Sequence, residues 1–264
     1  MNLRKKAKRW LYGSCPGFRG VLPYWGERLH FPPHSVLFER ACEEGIYEFE
    51  NQRLLASMLS PGMWYFDIGA NLGLMSAPLL HCEPTLQVVS VEPSPRIASY
   101  LARTIQASPC RDRWHLVQEA VGAVEGEVEF NVSGEGDGCY DGTKDTGRGP
   151  GSSRVKVQLT TLDALWKRFG SPGKCLVKID VEGGESEVLR GGLACLAATR
   201  PFVLVEWNRT NLAAHGRDPD GLPGLARGLD YEVLSVPALL PVSSLPLLRL
   251  HMNRGEYFVL APRT

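Results

Sequence analysis

Phe66-Asp67-Ile68-Gly69-Ala70-Asn71-Leu72-Gly73-Leu74 closes a short apolar run and opens a helical one. A strand that turns into a helix through glycines lets a ligand approach the backbone, and the unpaired N–H groups of the helix start offer donors. The glycines stand as Gly-x-x-x-Gly. Asn71 occupies the place where the dinucleotide fingerprint Gly-x-Gly-x-x-Gly puts its second glycine, which the pyrophosphate needs for close approach. The spacing therefore fits a ligand without a pyrophosphate better than a nicotinamide or flavin cofactor.

Outward from this stretch, apolar runs rich in Val, Ile and Phe alternate with helical segments, the pattern of crossover units on a mainly parallel sheet. The runs are Met63–Ile68, Gln87–Val91, Trp114–Gln118, Cys175–Ile179, Phe202–Val205, Tyr231–Val236 and Tyr257–Leu260, giving seven main strands. Helices are expected at Leu74–His81, Ile97–Ala107, Leu162–Phe169 and Glu185–Ala198, with Pro78 weakening the first. Glu127–Val132 and Val155–Leu159 read as an added hairpin, joined by a Gly/Asp/Ser-rich insertion at 133–153 that is either a mobile loop at a ligand mouth or a disordered tip. The fold class is α/β, a Rossmann-like doubly wound sheet over 61–264. Residues 1–60 form an N-terminal extension: a basic tail, a Pro/Gly/aromatic stretch and a rough helical face from about Ser35 to Leu59.

In such a sheet ligands lie beyond the carboxyl ends of the strands, so Asp67, Glu92, Asp180 and Glu206 are expected on one edge. Glu92 follows Val88-Val89-Ser90-Val91, 23 positions after Gly69, where an acid can accept both hydroxyls of a ribose. Val177-Lys178-Ile179-Asp180-Val181-Glu182-Gly183-Gly184-Glu185 is a third apolar run ending in acids. Glu185 is read as complementing the start of its helix rather than as catalytic.

The 264 residues carry 29 Lys+Arg against 29 Asp+Glu. Arg4, Lys5, Lys6, Lys8 and Arg9 lie in the first ten residues without an acid, leaving the rest at a net charge of −5. A weakly acidic body argues against a broad nucleic-acid surface, which needs clustered basic residues to displace counterions. The basic start lacks the apolar run of a secretory signal, and the most apolar stretch, Val236 to Leu250, is broken by Pro237, Pro241 and Pro246, so no transmembrane segment is expected. Seven scattered cysteines without metal or redox spacing suggest mostly buried thiols and a reducing cytoplasm. No oligomeric state is assigned.

Phe66–Gly73, Val91-Glu92-Pro93, Lys178–Glu185 with Val188-Leu189-Arg190-Gly191, and Val205-Glu206 together resemble the FkbM family of S-adenosylmethionine-dependent O-methyltransferases, over about Met63 to Leu260. The family usually has alanine where Gly184 stands. The resemblance implies that Asp67, Gly69, Asn71 and Gly73 cradle the methionine portion of S-adenosyl-L-methionine. It further implies that Glu92 holds the ribose and that Glu119 and Ala120 stand beside the adenine. An acceptor hydroxyl, on a small molecule or sugar, must lose its proton, and Asp180 and Glu182 are the placed candidates for the base, with Glu206 beside them. Asp180, Glu206 and Asn208 could also supply oxygens to Mg²⁺; no metal ligand set is assigned. Two alternatives stand beside this reading. One is an NAD(P)-dependent oxidoreductase, and the other is a catalytically inactive binding module on the same fold, docked through its basic N-terminus.

Overall fold

The computed structural model describes residues 20–33, 35–133, 138, 141–144 and 152–263, with isolated positions 3, 7 and 10. The charges at 4–9, Cys15, Cys139 and most of the 133–153 insertion lie outside the described residues.

From residue 20 on, the described chain forms a hairpin, β1 (Val21–Tyr24) and β2 (Glu27–His30), followed by helices Val36–Glu44 and Phe49–Ser57. The helical face expected over 35–59 is thus two helices. Ser35 caps the first by accepting from Phe38 N, and Gly45, at φ 83°, ends it in a conformation that costs glycine little. Then come β3 (Trp64–Ile68), helix Ser76–Cys82, β4 (Gln87–Val91), helix Pro95–Ala107 and β5 (Trp114–Val117). A short β6 (Ala120–Val121) leads into β7 (Gly126–Ser133) and β8 (Ser152–Thr160), the added hairpin, which forms its own small sheet. Helix Leu162–Arg168, β9 (Cys175–Ile179), helices Glu185–Arg190 and Leu193–Thr199, β10 (Phe202–Glu206), helices Arg209–Ala214 and Leu222–Gly228, β11 (Tyr231–Ser235), helix Leu245–Met252 and β12 (Tyr257–Pro262) complete it.

The main sheet has seven strands in the order β11-β12-β10-β9-β3-β4-β5. Only β12 runs antiparallel to its neighbours. The expected strands are the observed ones: the central runs, buried on both faces, take the middle of the parallel sheet, and the partly exposed runs Trp114–Val117 and Tyr231–Ser235 take its edges. The expected helix 185–198 is split at Gly191-Gly192: a side chain at Gly191 would lie 2.0 Å from the Gly122 carbonyl, so the chain bends where two backbones touch.

Alternation along the strands sorts the core into two layers. Phe66, Ile68, Val89, Val177, Val203 and Phe258 pack on one face; Tyr65, Val88, Leu176, Leu204 and Val259 pack on the other. Leu22, Leu29, Phe31, Leu54 and Leu55 of the N-terminal segment join this second layer. Cys42, Cys110, Cys175 and Cys195 are buried, Cys82 is exposed, and all five are free. Among the described residues no helix is long and apolar enough to cross a membrane.

Candidate active site

The sheet order reverses between β3 and β9, so their connections leave in opposite directions and open a crevice at their carboxyl ends. The two chain ends nearly touch there. Gly69 has φ 80°, and a side chain on it would lie 1.7 Å from the Asp180 carbonyl oxygen. The turn's first N–H groups are spent on the protein: Gly69 and Ala70 both donate to Val91 O, and Asn71 N donates to Glu92 Oε2 at 3.0 Å. The helix proper starts only at Ser76, so the donors expected of a helix start at this turn are turned inward.

A cavity of about 210 Å³ occupies the crevice. Gly69, Asn71, Glu92, Glu119 and Ala120 line it, as do Asp180, Glu182 and Glu206. Asp67 and Gly73 do not. Asp67 is buried beneath the turn, accepting from Ser76 Oγ at 2.6 Å and lying 3.6 Å from Lys178 Nζ. Ser76 in turn accepts from Ser90 Oγ (2.8 Å), and Ser90 from Trp114 Nε1 (2.8 Å), a chain whose directions are fixed because indole only donates and carboxylate only accepts. Gly73, at φ 82°, is a packing position: a side chain on it would lie 2.8 Å from Leu101 and from Trp114.

Glu92 sits at the tip of β4 with Ser94 N donating to Oε1 (2.9 Å) and Asn71 N to Oε2. Burial pushes its carboxyl up to about 7 against those two hydrogen bonds. Ala120 is buried at the start of β6, while Glu119 is held by a bidentate pair with Arg168 at 2.9 and 3.0 Å. From the insertion, Asp141 accepts from Ser94 Oγ at 3.0 Å and lines the cavity with Gly138 and Thr143.

At the other end Lys178 enters from the middle of β9, directly beside Asp67 in the strand register. Its ammonium lies 3.2 Å from Asp180 Oδ2 and donates to Gly69 O at 3.3 Å. Burial favours the neutral amine, but Asp180, Asp67 and Glu48 outweigh it and hold the group above its ordinary range, so it stays charged. Tyr257 Oη donates to Asp180 Oδ2 at 2.8 Å. Sequence reading gave Lys178 and Tyr257 no role. The signal was present for the lysine: a charge inside the fully buried run Cys175–Ile179 must be paired.

Glu206, at the end of β10, accepts from Asn211 Nδ2 at 3.1 Å. Burial, then the charges of Asp180, Glu182, Glu185 and Glu256, hold it well above the usual carboxylate range. Carboxylate oxygens of Asp180, Glu182 and Glu206 all lie within 4.8 Å of one another. Asn208 does not join them: its Oδ1 caps helix Arg209–Ala214 by accepting from Thr210 N and Asn211 N, and its Nδ2 donates to Glu256. The oxygen set proposed for Mg²⁺ from sequence is therefore not assembled. Glu185 accepts from Val181 N (3.1 Å) and Gly183 N (2.9 Å), fastening the loop before its own helix.

The cavity lining holds eight acidic side chains against two cations, Arg40 and Lys178. That balance suits a positively charged ligand.

A family model described as the methyltransferase FkbM domain matches residues 67–233. The 2-O-methyltransferase NoeI of Sinorhizobium fredii is 27% identical over 174 residues, 61% of this chain and 70% of that protein. Among solved structures, methyltransferase FkbM from Methylobacillus flagellatus aligns at 13% identity and TM-score 0.49, over 84% of this chain and 52% of that one. This chain thus spans about half the length of that solved chain. An S-adenosylmethionine-dependent O-methyltransferase from Thermotoga maritima aligns at 13% identity and TM-score 0.41, over 83% of this chain and 67% of that one.

Proposed function

The chain belongs to the FkbM family of S-adenosylmethionine-dependent methyltransferases, and from that premise we propose that it methylates a hydroxyl oxygen of a small molecule or sugar. Family membership decides against the NAD(P)-dependent alternative. One observation carries the reading: a single cavity joins the Gly69–Asn71 turn and Glu92 at one end to Asp180, Lys178 and Tyr257 at the other. The name of NoeI, a 2-O-methyltransferase, supports oxygen as the acceptor atom.

When bound, S-adenosylmethionine supplies an electrophilic methyl group on a cationic sulfur, and the acidic lining fits that charge. Glu92 would hold the ribose, since each of its oxygens keeps a lone pair beyond the backbone contact it already makes. Gly69 and Asn71 would pass along the methionine portion, with Ala120 and the outer edge of Glu119 beside the adenine. Asp67 and Gly73 act from behind, the first by anchoring Lys178 and the second by letting the helix after the turn pack on Trp114.

Asp180 is the residue proposed to take the acceptor's proton. Lys178 and Tyr257 both grip its Oδ2, which fixes the carboxylate's position. Methyl transfer depends chiefly on in-line placement of the acceptor, so a fixed carboxylate serves better than a strongly basic one. Glu206, whose carboxyl its crowded surroundings hold well above the usual carboxylate range, stands beside Asp180, and Glu182 lines the same end of the cavity. The test is incubation with S-adenosylmethionine carrying a labelled methyl group and metabolite pools, read by mass spectrometry. A product heavier by one CH₂ with the label on oxygen is expected; label on nitrogen or carbon, or no binding of S-adenosylhomocysteine by folded protein, refutes the reading.

A further inference from the structure

Glu48 reaches the acceptor end of the cavity from outside the matched family segment, at the turn between the two N-terminal helices. Its backbone is left-handed (φ 47°, ψ 52°), a conformation that costs a non-glycine residue and persists only where surroundings impose it. Those surroundings are explicit. Tyr47 N donates to Tyr24 Oη at 3.1 Å, and the two hydrogens of the buried Gln52 amide are shared among Tyr24 Oη, Tyr47 O and Leu74 O, all within hydrogen-bond distance of its Nε2. One side chain therefore ties the Glu48 turn to the segment that follows the glycine turn.

The strain places Glu48 Oε1 3.4 Å from Tyr257 Oη, the same phenol that donates to Asp180 Oδ2 at 2.8 Å. A phenol has one hydrogen, and the shorter contact takes it. Two carboxylates thus face one donor. Glu48 also accepts from Asn51 Nδ2 at 3.0 Å, and a carboxylate's acceptor sites are not exhausted by these contacts. The Tyr47 side chain hydrogen-bonds Glu48 as well, yet burial and then the charge of Asp180 raise its proton affinity, because two carboxylates stand close together in the cavity wall. Glu182, Glu206 and Glu256 surround the same end, where Lys178 is already shared between Asp67 and Asp180.

We propose, resting on the O-methyltransferase reading, that Glu48 is a specificity-determining residue whose carboxylate accepts a second hydroxyl of the acceptor, and that the acceptor is an uncharged vicinal diol on a sugar or cyclitol ring. Adjacent hydroxyls match the two neighbouring carboxylates, whose acceptor sites exceed the donors the protein supplies, the reacting one donating to Asp180 and its neighbour to Glu48. An acceptor carrying a carboxylate or phosphate at this end would meet uncompensated acids and be rejected.

The experiment uses the full chain loaded with S-adenosylhomocysteine and measures binding of methyl glucoside and methyl glucuronide by saturation-transfer NMR titration. Wild type is expected to bind the glucoside and discriminate against the glucuronide at least about tenfold, and Glu48→Ala to lose about tenfold in glucoside affinity, the value of one hydrogen bond to a charged group. Glu48→Gln should narrow the gap between the two sugars, a change that a structural role for Glu48 would not produce. Glu48→Asn, which tolerates the left-handed backbone, covers the case in which the alanine variant folds poorly. Unchanged S-adenosylhomocysteine affinity reports an intact fold in each variant. Equal binding of both sugars by wild type, no glucoside binding, or a glucoside affinity indifferent to Glu48→Ala overturns the proposal and leaves the methyltransferase reading standing; failure of wild type to bind S-adenosylhomocysteine overturns both.

Discussion

Replacing Glu92 by glutamine separates what this residue costs the fold from what it does for the ligand. In the folded chain its carboxyl is pushed up to about 7 from 4.5. At about 1.4 kcal/mol per pK unit, ionised Glu92 costs the fold about 3 kcal/mol. The sign follows from the raised value. Its contribution to stability is fully present below pH 4.5, is lost as pH rises towards 7, and is flat above. The amide carries no charge, so the stability of Glu92→Gln without ligand should lack this component of the pH dependence. The amide keeps one acceptor oxygen and turns an NH₂ group towards either Asn71 N or Ser94 N, both donors, so one loop hydrogen bond and one acceptor for a ribose hydroxyl are lost together. Hydrogen bonds to charged groups are worth about 1.5–3 kcal/mol, so affinity for S-adenosylhomocysteine should fall about 10- to 150-fold. Wild-type affinity should weaken as pH falls below about 7, because hydroxyl donors favour the ionised carboxylate, and that dependence should vanish in the variant. Isothermal titration from pH 5.5 to 8.5 measures both. A variant that binds within twofold of wild type at pH 8, or that keeps the same pH dependence, refutes the assignment of Glu92 to the ribose.

Three further perturbations test the frame around the site. Lys178→Met leaves Asp67 and Asp180 without their shared cation and should cost about 3–5 kcal/mol in urea unfolding at pH 8; the deficit should shrink at pH 5 as the buried Asp67 carboxyl, raised by burial, takes up a proton. Equal deficits at both pH values would contradict this. Gly69→Ala and Gly45→Ala both force a side chain onto left-handed backbone, but only the first collides, 1.7 Å from Asp180 O, whereas Gly45 has nothing within 4 Å. The second should cost about 1 kcal/mol and the first several times more, with loss of S-adenosylhomocysteine binding. Gln52→Leu removes the donor shared by Tyr24, Tyr47 and Leu74 and should lower stability by about 1–3 kcal/mol, read as an earlier urea midpoint; an unchanged midpoint would show that the amide does not tie the two turns.

The sequence alone determined the main sheet, because its central strands are short apolar runs that only a doubly covered position can bury, and their punctuation is local. It also placed Gly69, Asn71, Glu92, Asp180, Glu182 and Glu206 at strand ends, since parallel topology sends all those ends to one edge. Tertiary structure decided which of these face the cavity. Asp67 differs from its neighbours at the strand ends only in facing under the turn, a direction set by its register beside Lys178. The contribution of residues 20–59 was likewise invisible. Glu48 and Gln52 act through partners 22 to 209 positions away along the chain, at Leu74 and Tyr257, and no local period or spacing encodes a contact of that range. The apparent neutrality of the chain shows the same division: composition sets the totals, while folding gathers eight carboxylates around one cavity, and only there does like charge held in a low-dielectric space become chemistry.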